Sequence, residues 1–278
     1  MSVAHQLPKH QSSKVTNMSD ATVHTSCVEV DGQGLIGRVV IDNQRRLNCL
    51  STEQVVRLTA AFEQLKERNE LRAVVLTGAG EKAFVGGSDL NELGAFCADS
   101  ARLYITRLHH ACAAIRDFPA PVIARVNGYC LGGGLEVAAS CDMRVAADTA
   151  VFGMPEVHMG LPSVIEAALL PGQIGWGRTR EILLTGENFS AAEALAMGFV
   201  GKVVPAGDLD AAVDSLVCSI CRAGPEAIRN QKALINRWER VSVEEGVLAG
   251  IDAISDAYKT GEPQERIAAF FAAKKAGR

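Results

Sequence analysis

Asn127-Gly128-Tyr129-Cys130-Leu131-Gly132-Gly133-Gly134-Leu135-Glu136-Val137-Ala138 joins the β-branched run Val122–Val126 to an apolar helical pattern at about 134–140. Three consecutive glycines at a strand-to-helix junction leave no side chain over the backbone, so a ligand atom can reach the N–H groups directly. The spacing is not G-x-G-x-x-G, and no Gly-Lys-Ser/Thr comes after it. A dinucleotide fold and a phosphate-cradling P-loop are therefore both excluded. The glycines lead instead to Glu136, an acid in the first turn of an otherwise apolar helix, where unpaired burial of a carboxylate would be expensive.

Working outward, a second turn has related features. Ala83-Phe84-Val85-Gly86-Gly87-Ser88-Asp89-Leu90-Asn91-Glu92-Leu93 places two glycines before a residue suited to helix capping, Asp89, with Glu92 three residues later to complete a box. The N–H of Ser88 then points from the mouth of a helix, where partial positive charge collects. An ordinary turn reads the same way. A further acid, Glu156, sits among apolar residues in Phe152-Gly153-Met154-Pro155-Glu156-Val157-His158-Met159-Gly160. Two carboxylates in apolar settings suit general acid/base work; a cap or a surface acid is the alternative for each.

The rest of the chain alternates strands with helices and then becomes helical. Strands are expected at 26–31, 35–41, 73–77 and 143–146, with an extended piece at 150–152. Helices are expected at about 51–66 and 100–116, across 164–184 with interruptions, and from Ser190, whose spacing to Glu193 makes a capping box. From Leu209 the patterns are helical at about 209–222, 225–239, 243–259 and 263–275. This is an α/β core followed by a helical region. Residues 1–25 lack periodicity and are expected to form a flexible arm, the core to span 26–205 and the helical region 206–278.

Of the 278 residues 48% are hydrophobic, enough for a core that buries roughly 70–75% of the extended chain's surface. The net charge of −4 and the lack of a Lys/Arg block argue against nucleic acid. No charge-free apolar run reaches the length of about 18 residues that a membrane span needs, and no signal-peptide h-region opens the chain. A cytoplasmic location is expected. The eight cysteines then read as reduced thiols packed as small hydrophobes, the Cys218/Cys221 pair included. His109 and His110 read as surface or satisfied histidines, and no histidine cluster has metal-ligand spacing.

These segments resemble the crotonase, or enoyl-CoA hydratase/isomerase, superfamily. The similarity runs from about Val28 to Ala276 and rests on four segments in order. They are Asn48-Cys49-Leu50-Ser51, the turn 83–93, the block 127–142, and Leu184-Thr185-Gly186 with the Ala191–Val200 stretch. The resemblance implies a spiral of repeated ββα units, with a C-terminal helical region that builds a trimer or a hexamer. It also implies a coenzyme A thioester as substrate and no separate cofactor or metal. By the same resemblance the oxyanion-hole positions fall on the backbone N–H groups of Ser88 and Gly133, and the hydratase glutamates on Glu136 and Glu156. Gly87 and Gly132, which precede the two donors, are read with Arg45 and Arg46 as coenzyme A-binding.

Holding both glutamates implies hydration of a 2-enoyl-CoA, with Glu136 activating water and Glu156 supplying the proton at C2. Another crotonase reaction (isomerisation, retro-aldol cleavage, decarboxylation or thioester hydrolysis) is the alternative, and a non-catalytic acyl-CoA-binding protein is a third reading. The chain departs from the family in two places. After Glu156 it reads Gly160-Leu161-Pro162-Ser163-Val164-Ile165-Glu166, without the usual glycine pair and one residue shorter. Glu166 is expected to be a helix-surface or capping acid. The turn before Asn48 is Asn43-Gln44-Arg45-Arg46, whose arginines either meet coenzyme A phosphates or stand exposed to solvent.

Overall fold

In the computed structural model, which describes residues 22–30, 32 and 34–276, the chain repeatedly makes two strands and then a helix. It opens with the hairpin β1 (Thr22–Val30) and β2 (Gly34–Asp42), then α1 (Thr52–Lys66). The next unit is β3 (Leu71–Gly78) and β4 (Ala83–Val85), followed by the single turn α2 (Leu90–Leu93) and the long α3 (Ala98–Arg116). After it come β5 (Val122–Val126), β6 (Tyr129–Leu131) and α4 (Gly133–Ala139). A fourth unit has β7 (Met143–Ala147), β8 (Val151–Gly153) and α5 (Leu170–Thr185). Two 3₁₀ turns, Pro155–Met159 and Ile165–Leu169, lie between β8 and α5. The chain continues through β9 (Phe189–Ser190), α6 (Ala191–Ala196) and β10 (Lys202–Val204). It ends in α7 (Leu209–Cys221), α8 (Pro225–Trp238), α9 (Val243–Lys259) and α10 (Glu262–Ala276).

The pairs β3/β4, β5/β6 and β7/β8 divide their strands between two sheets, whereas β1 and β2 share one. The larger sheet is six-stranded, in the order β1-β2-β3-β5-β7-β10, and the smaller four-stranded, β4-β6-β8-β9. Pairing is parallel from β2 through β10 in the first sheet and from β4 through β8 in the second. Both faces of the large sheet are covered, which explains why its strands read as continuous apolar runs. In β3, Val74 and Leu76 join a core with Val55, Leu58 and Phe62 of α1, while Ala73 and Val75 point the other way, toward Leu209, Val213 and Val217 of α7. α7, which comes after residue 205, closes the second face of the sheet.

Local signals in the sequence account for several element ends. Ser51 and Gln54 form a reciprocal capping box on α1, and Ser190 with Glu193 does the same on α6. Three sequence expectations are corrected. Residues 22–25, assigned to the arm, pair with Val39–Asp42 in the β1–β2 hairpin; the remainder of that arm, 1–21, lies outside the described residues. Asp89 caps α2 through the Asn91 N–H, but Glu92 does not complete a box there. Its carboxylate instead accepts from the N–H and hydroxyl of Thr52, at 2.8 and 2.6 Å, tying α2 to the start of α1. Cys97 is not packed: it stands exposed before α3, and hydrogen bonds from Ser100 hold its thiol down at about 7. On α9, Gly246 is covered by the chain's own Trp238, whose indole N–H donates to the Gly246 carbonyl.

Candidate active site

The parallel pairing of β4 with β6 brings the two glycine-rich turns side by side, because each turn comes directly after its strand. Gly87, at φ 114°, and Gly132, at φ 51°, bend the chain where a side chain is poorly tolerated. A Cβ built on Gly133 would lie 3.2 Å from Ser88 Oγ. Leu50 fixes the first turn from the other side. Its N–H donates to the Gly87 carbonyl at 2.8 Å, its carbonyl accepts from the Asp89 N–H at 2.9 Å, and the buried Tyr104 hydroxyl donates to that same carbonyl. Ser88 is thereby bracketed. Among the described residues, the N–H groups of Ser88 and Gly133 donate to no protein acceptor. Neighbouring donors left free in a well-bonded region suit an oxygen that gains negative charge.

The two glutamates flank these donors. Glu136 is 4% exposed on α4, and its Oε1 accepts from the Ala167 N–H at 3.3 Å. Burial pushes its carboxyl well above the usual range, and the charges of Glu156 and Glu166 push the same way, against the Ala167 hydrogen bond. Glu156 comes from the 3₁₀ turn after β8, which pairs with β6 and so sets that turn beside Gly132. The Ser163 hydroxyl donates to Glu156 Oε2 at 2.8 Å. Glu156 Oε1 lies 2.5 Å from where a Cβ on Gly132 would stand, and Glu136 Oε2 lies 4.0 Å from the same point on Gly133. The carboxylates therefore lie over consecutive residues.

A cleft of about 440 Å³ opens beside this cluster. Arg45, Arg46 and Cys49 line one side, Gly87, Ser88 and Leu90 another, and Leu131, Gly132, Glu156, Met159 and Leu161 the rest. Gly133 and Glu136 do not line it; they lie immediately beyond Gly132. Arg46 is held by an ion pair with Asp89. Burial alone would raise the Asp89 carboxyl, but the Asn91 N–H and Arg46 outweigh it and lower it. Arg45 is exposed and makes no ion pair among the described residues, which leaves it available to an anion at the cleft.

Some contributors were not visible in the sequence. Ser163 and Ala167 fall in the shortened segment after Glu156, where the departure was plain but its geometry was not. Glu166 corrects its expectation: it is neither on the surface nor a cap but 3% exposed, with Oε1 at 2.8 Å from Nδ1 of His109. Among the described residues, no group of three or more His, Cys, Asp or Glu is arranged to hold a metal, and no helix is long and apolar enough to cross a membrane.

The sequence profile described as enoyl-CoA hydratase/isomerase matches residues 31–276. The short-chain-enoyl-CoA hydratase of Clostridium acetobutylicum is 30% identical over 89% of this chain and 95% of its own length. The crotonyl-CoA hydratase of Syntrophomonas wolfei is 31% identical over 85% of this chain and 91% of its own. The crystal structure of an enoyl-CoA hydratase from Bacillus anthracis superposes with a TM-score of 0.83 at 31% identity, covering 88% of this chain and 95% of that one.

Proposed function

The chain belongs to the enoyl-CoA hydratase/isomerase family, and from that premise we propose that it adds water across the 2,3 double bond of a 2-enoyl-CoA thioester to give the 3-hydroxyacyl-CoA. The observation that carries this reading is the pair of unpartnered N–H groups, Ser88 and Gly133, with two glutamate carboxylates beside them. Water adding at C3 drives electron density onto the thioester oxygen. Two preorganised donors stabilise that charge, each worth about 3–4 kcal/mol when removed from comparable sites.

Burial of Glu136 and the facing charge of Glu156 favour a proton on Glu136 in the free protein. In the productive arrangement that proton is on Glu156. Glu136 takes a proton from water as the water oxygen bonds C3, and the π electrons move toward the thioester oxygen. As the enolate collapses, Glu156 delivers its proton to C2. The pair then carries its proton on Glu136, the form that burial favours in the free protein, and its return to Glu156 closes the cycle. Arg45 is suited to a coenzyme A phosphate, with Gly87 and Gly132 leaving room for the thioester. No cofactor beyond the coenzyme A of the substrate is needed.

A homotrimer or a dimer of trimers belongs to the same proposal, as does a cytoplasmic location. Val247, Leu248, Ile251 and Ile254 of α9 and Phe270 and Phe271 of α10 are all more than half exposed, and apolar exposure of this kind supports association. The reaction is tested with Glu136→Gln and Glu156→Gln, monitored by loss of the conjugated enoyl-thioester absorbance. Each variant is expected to bind a saturated acyl-CoA normally and to lose at least about 10²-fold in hydration. Full hydration by E136Q rejects the two-carboxylate mechanism. Loss confined to E156Q favours proton shuttling without water addition, as in an isomerase.

A further inference from the structure

Glu166 is a nearly fully buried carboxylate for which the hydration step has no use. Its Oε1 meets His109 Nδ1 on α3, while its Oε2 has no hydrogen-bond partner among the described residues. The preceding residue, Ile165, has a φ of 38°, which a β-branched residue adopts only under strain. The next residue, Ala167, donates its N–H to Glu136. A tether to α3, a strained link and a hydrogen bond to the proposed base thus occupy three consecutive residues.

We propose that the His109–Glu166 pair is a positioning device for Glu136: it anchors the 165–169 turn so that the Ala167 N–H meets the Glu136 carboxylate, and its charge sets how readily Glu136 takes up a proton. This rests on the reading of Glu136 as the carboxylate that activates water. The ionisable groups around it are His109, Cys112 and Tyr104 from α3, Glu136 from α4, and Glu156 from its 3₁₀ turn. His110 adjoins His109, with ring centroids 5.9 Å apart. The His109 side chain is 51% exposed, whereas that of Glu166, beneath it, is 4% exposed.

The signs come from electrostatics. The Glu166 charge holds the Glu136 proton more tightly, and the Ala167 hydrogen bond that the pair keeps in place holds it less tightly. Glu166→Gln removes the charge, so Glu136 should titrate at lower pH. His109→Gln removes the ring that anchors Glu166, so the Ala167 N–H should reach the Glu136 carboxylate less well and Glu136 should titrate at higher pH. A pair that serves packing alone moves neither.

The experiment tracks the Glu136 carboxyl by NMR in protein labelled at glutamate Cδ, with E136Q supplying the assignment. Hydration of crotonyl-CoA is measured across pH on the same samples. The Glu136 titration is expected to move by at least about half a pH unit, downward in E166Q and upward in H109Q. The kcat should fall about tenfold with KM changed less than about twofold, because neither residue lines the cleft. An unmoved Glu136 titration in the folded variants overturns the proposal. If E166Q does not fold, H109Q, changed at a half-exposed position, decides alone. A wild-type protein that hydrates no enoyl-CoA sinks the hydratase reading, yet the titration still decides whether the pair controls Glu136.

Discussion

Gly132→Ala perturbs the site through a single methyl group. Gly132 has φ 51° and ψ −123°, a conformation in which a Cβ costs on the order of 1–3 kcal/mol. That cost should lower the melting temperature by about 2–4 °C for each kcal/mol lost. The functional effect is larger. The new Cβ would stand 2.5 Å from Glu156 Oε1, so the carboxylate has to retreat by about 0.9 Å to reach ordinary contact at 3.4 Å. A misplacement near 1 Å in a reacting group costs about 10²-fold in rate. The expected result is a folded variant that binds a saturated acyl-CoA by calorimetry and hydrates crotonyl-CoA about 10²-fold more slowly. Because the damage passes through Glu156, the double variant with Glu156→Gln should be little slower than E156Q alone. A folded G132A within a few fold of wild type refutes the placement of Glu156 over Gly132. Fully multiplicative losses in the double variant refute the route through Glu156.

Glu136→Gln should stabilise the protein while inactivating it. The folded-state affinity of Glu136 for its proton is raised, so its favourable contribution is present below the unfolded pKa and is lost as pH rises through the folded one. The melting temperature of E136Q should therefore exceed wild type by a margin that grows toward alkaline pH; equal melting profiles at all pH values would refute this. Asp89 has the opposite sign, because its folded pKa is lowered. Asp89→Asn should cost about 1 kcal/mol at neutral pH, and the difference should fade as pH falls below the ordinary carboxylate range, measured by urea melts at two pH values. Sedimentation at micromolar concentration should give a trimer or hexamer, and Phe270→Glu should dissociate it. A monomeric wild type removes the role proposed for α9 and α10.

What could be read from the sequence was set by neighbours along the chain. The helix expected at about 51–66 and the capping box at Ser190 depend on a few residues each, and both form. The two glycine-rich turns were visible because a bare backbone at a strand-to-helix junction is itself a local signal. Contacts across long separations were not visible. Thr52 holds Glu92, 40 residues away, and His109 meets Glu166, 57 residues away, only because α2 and α3 pack where the sheets place them. The proton affinity of Glu136 belongs to this second class as well. Its residue type and helical position come from the sequence, but the burial and the facing charges that tune it come from Glu156 and Glu166 on turns contributed by another repeat. Side-chain spacing is a property of one segment; desolvation and charge coupling belong to the space between segments, and only the tertiary structure supplies that space.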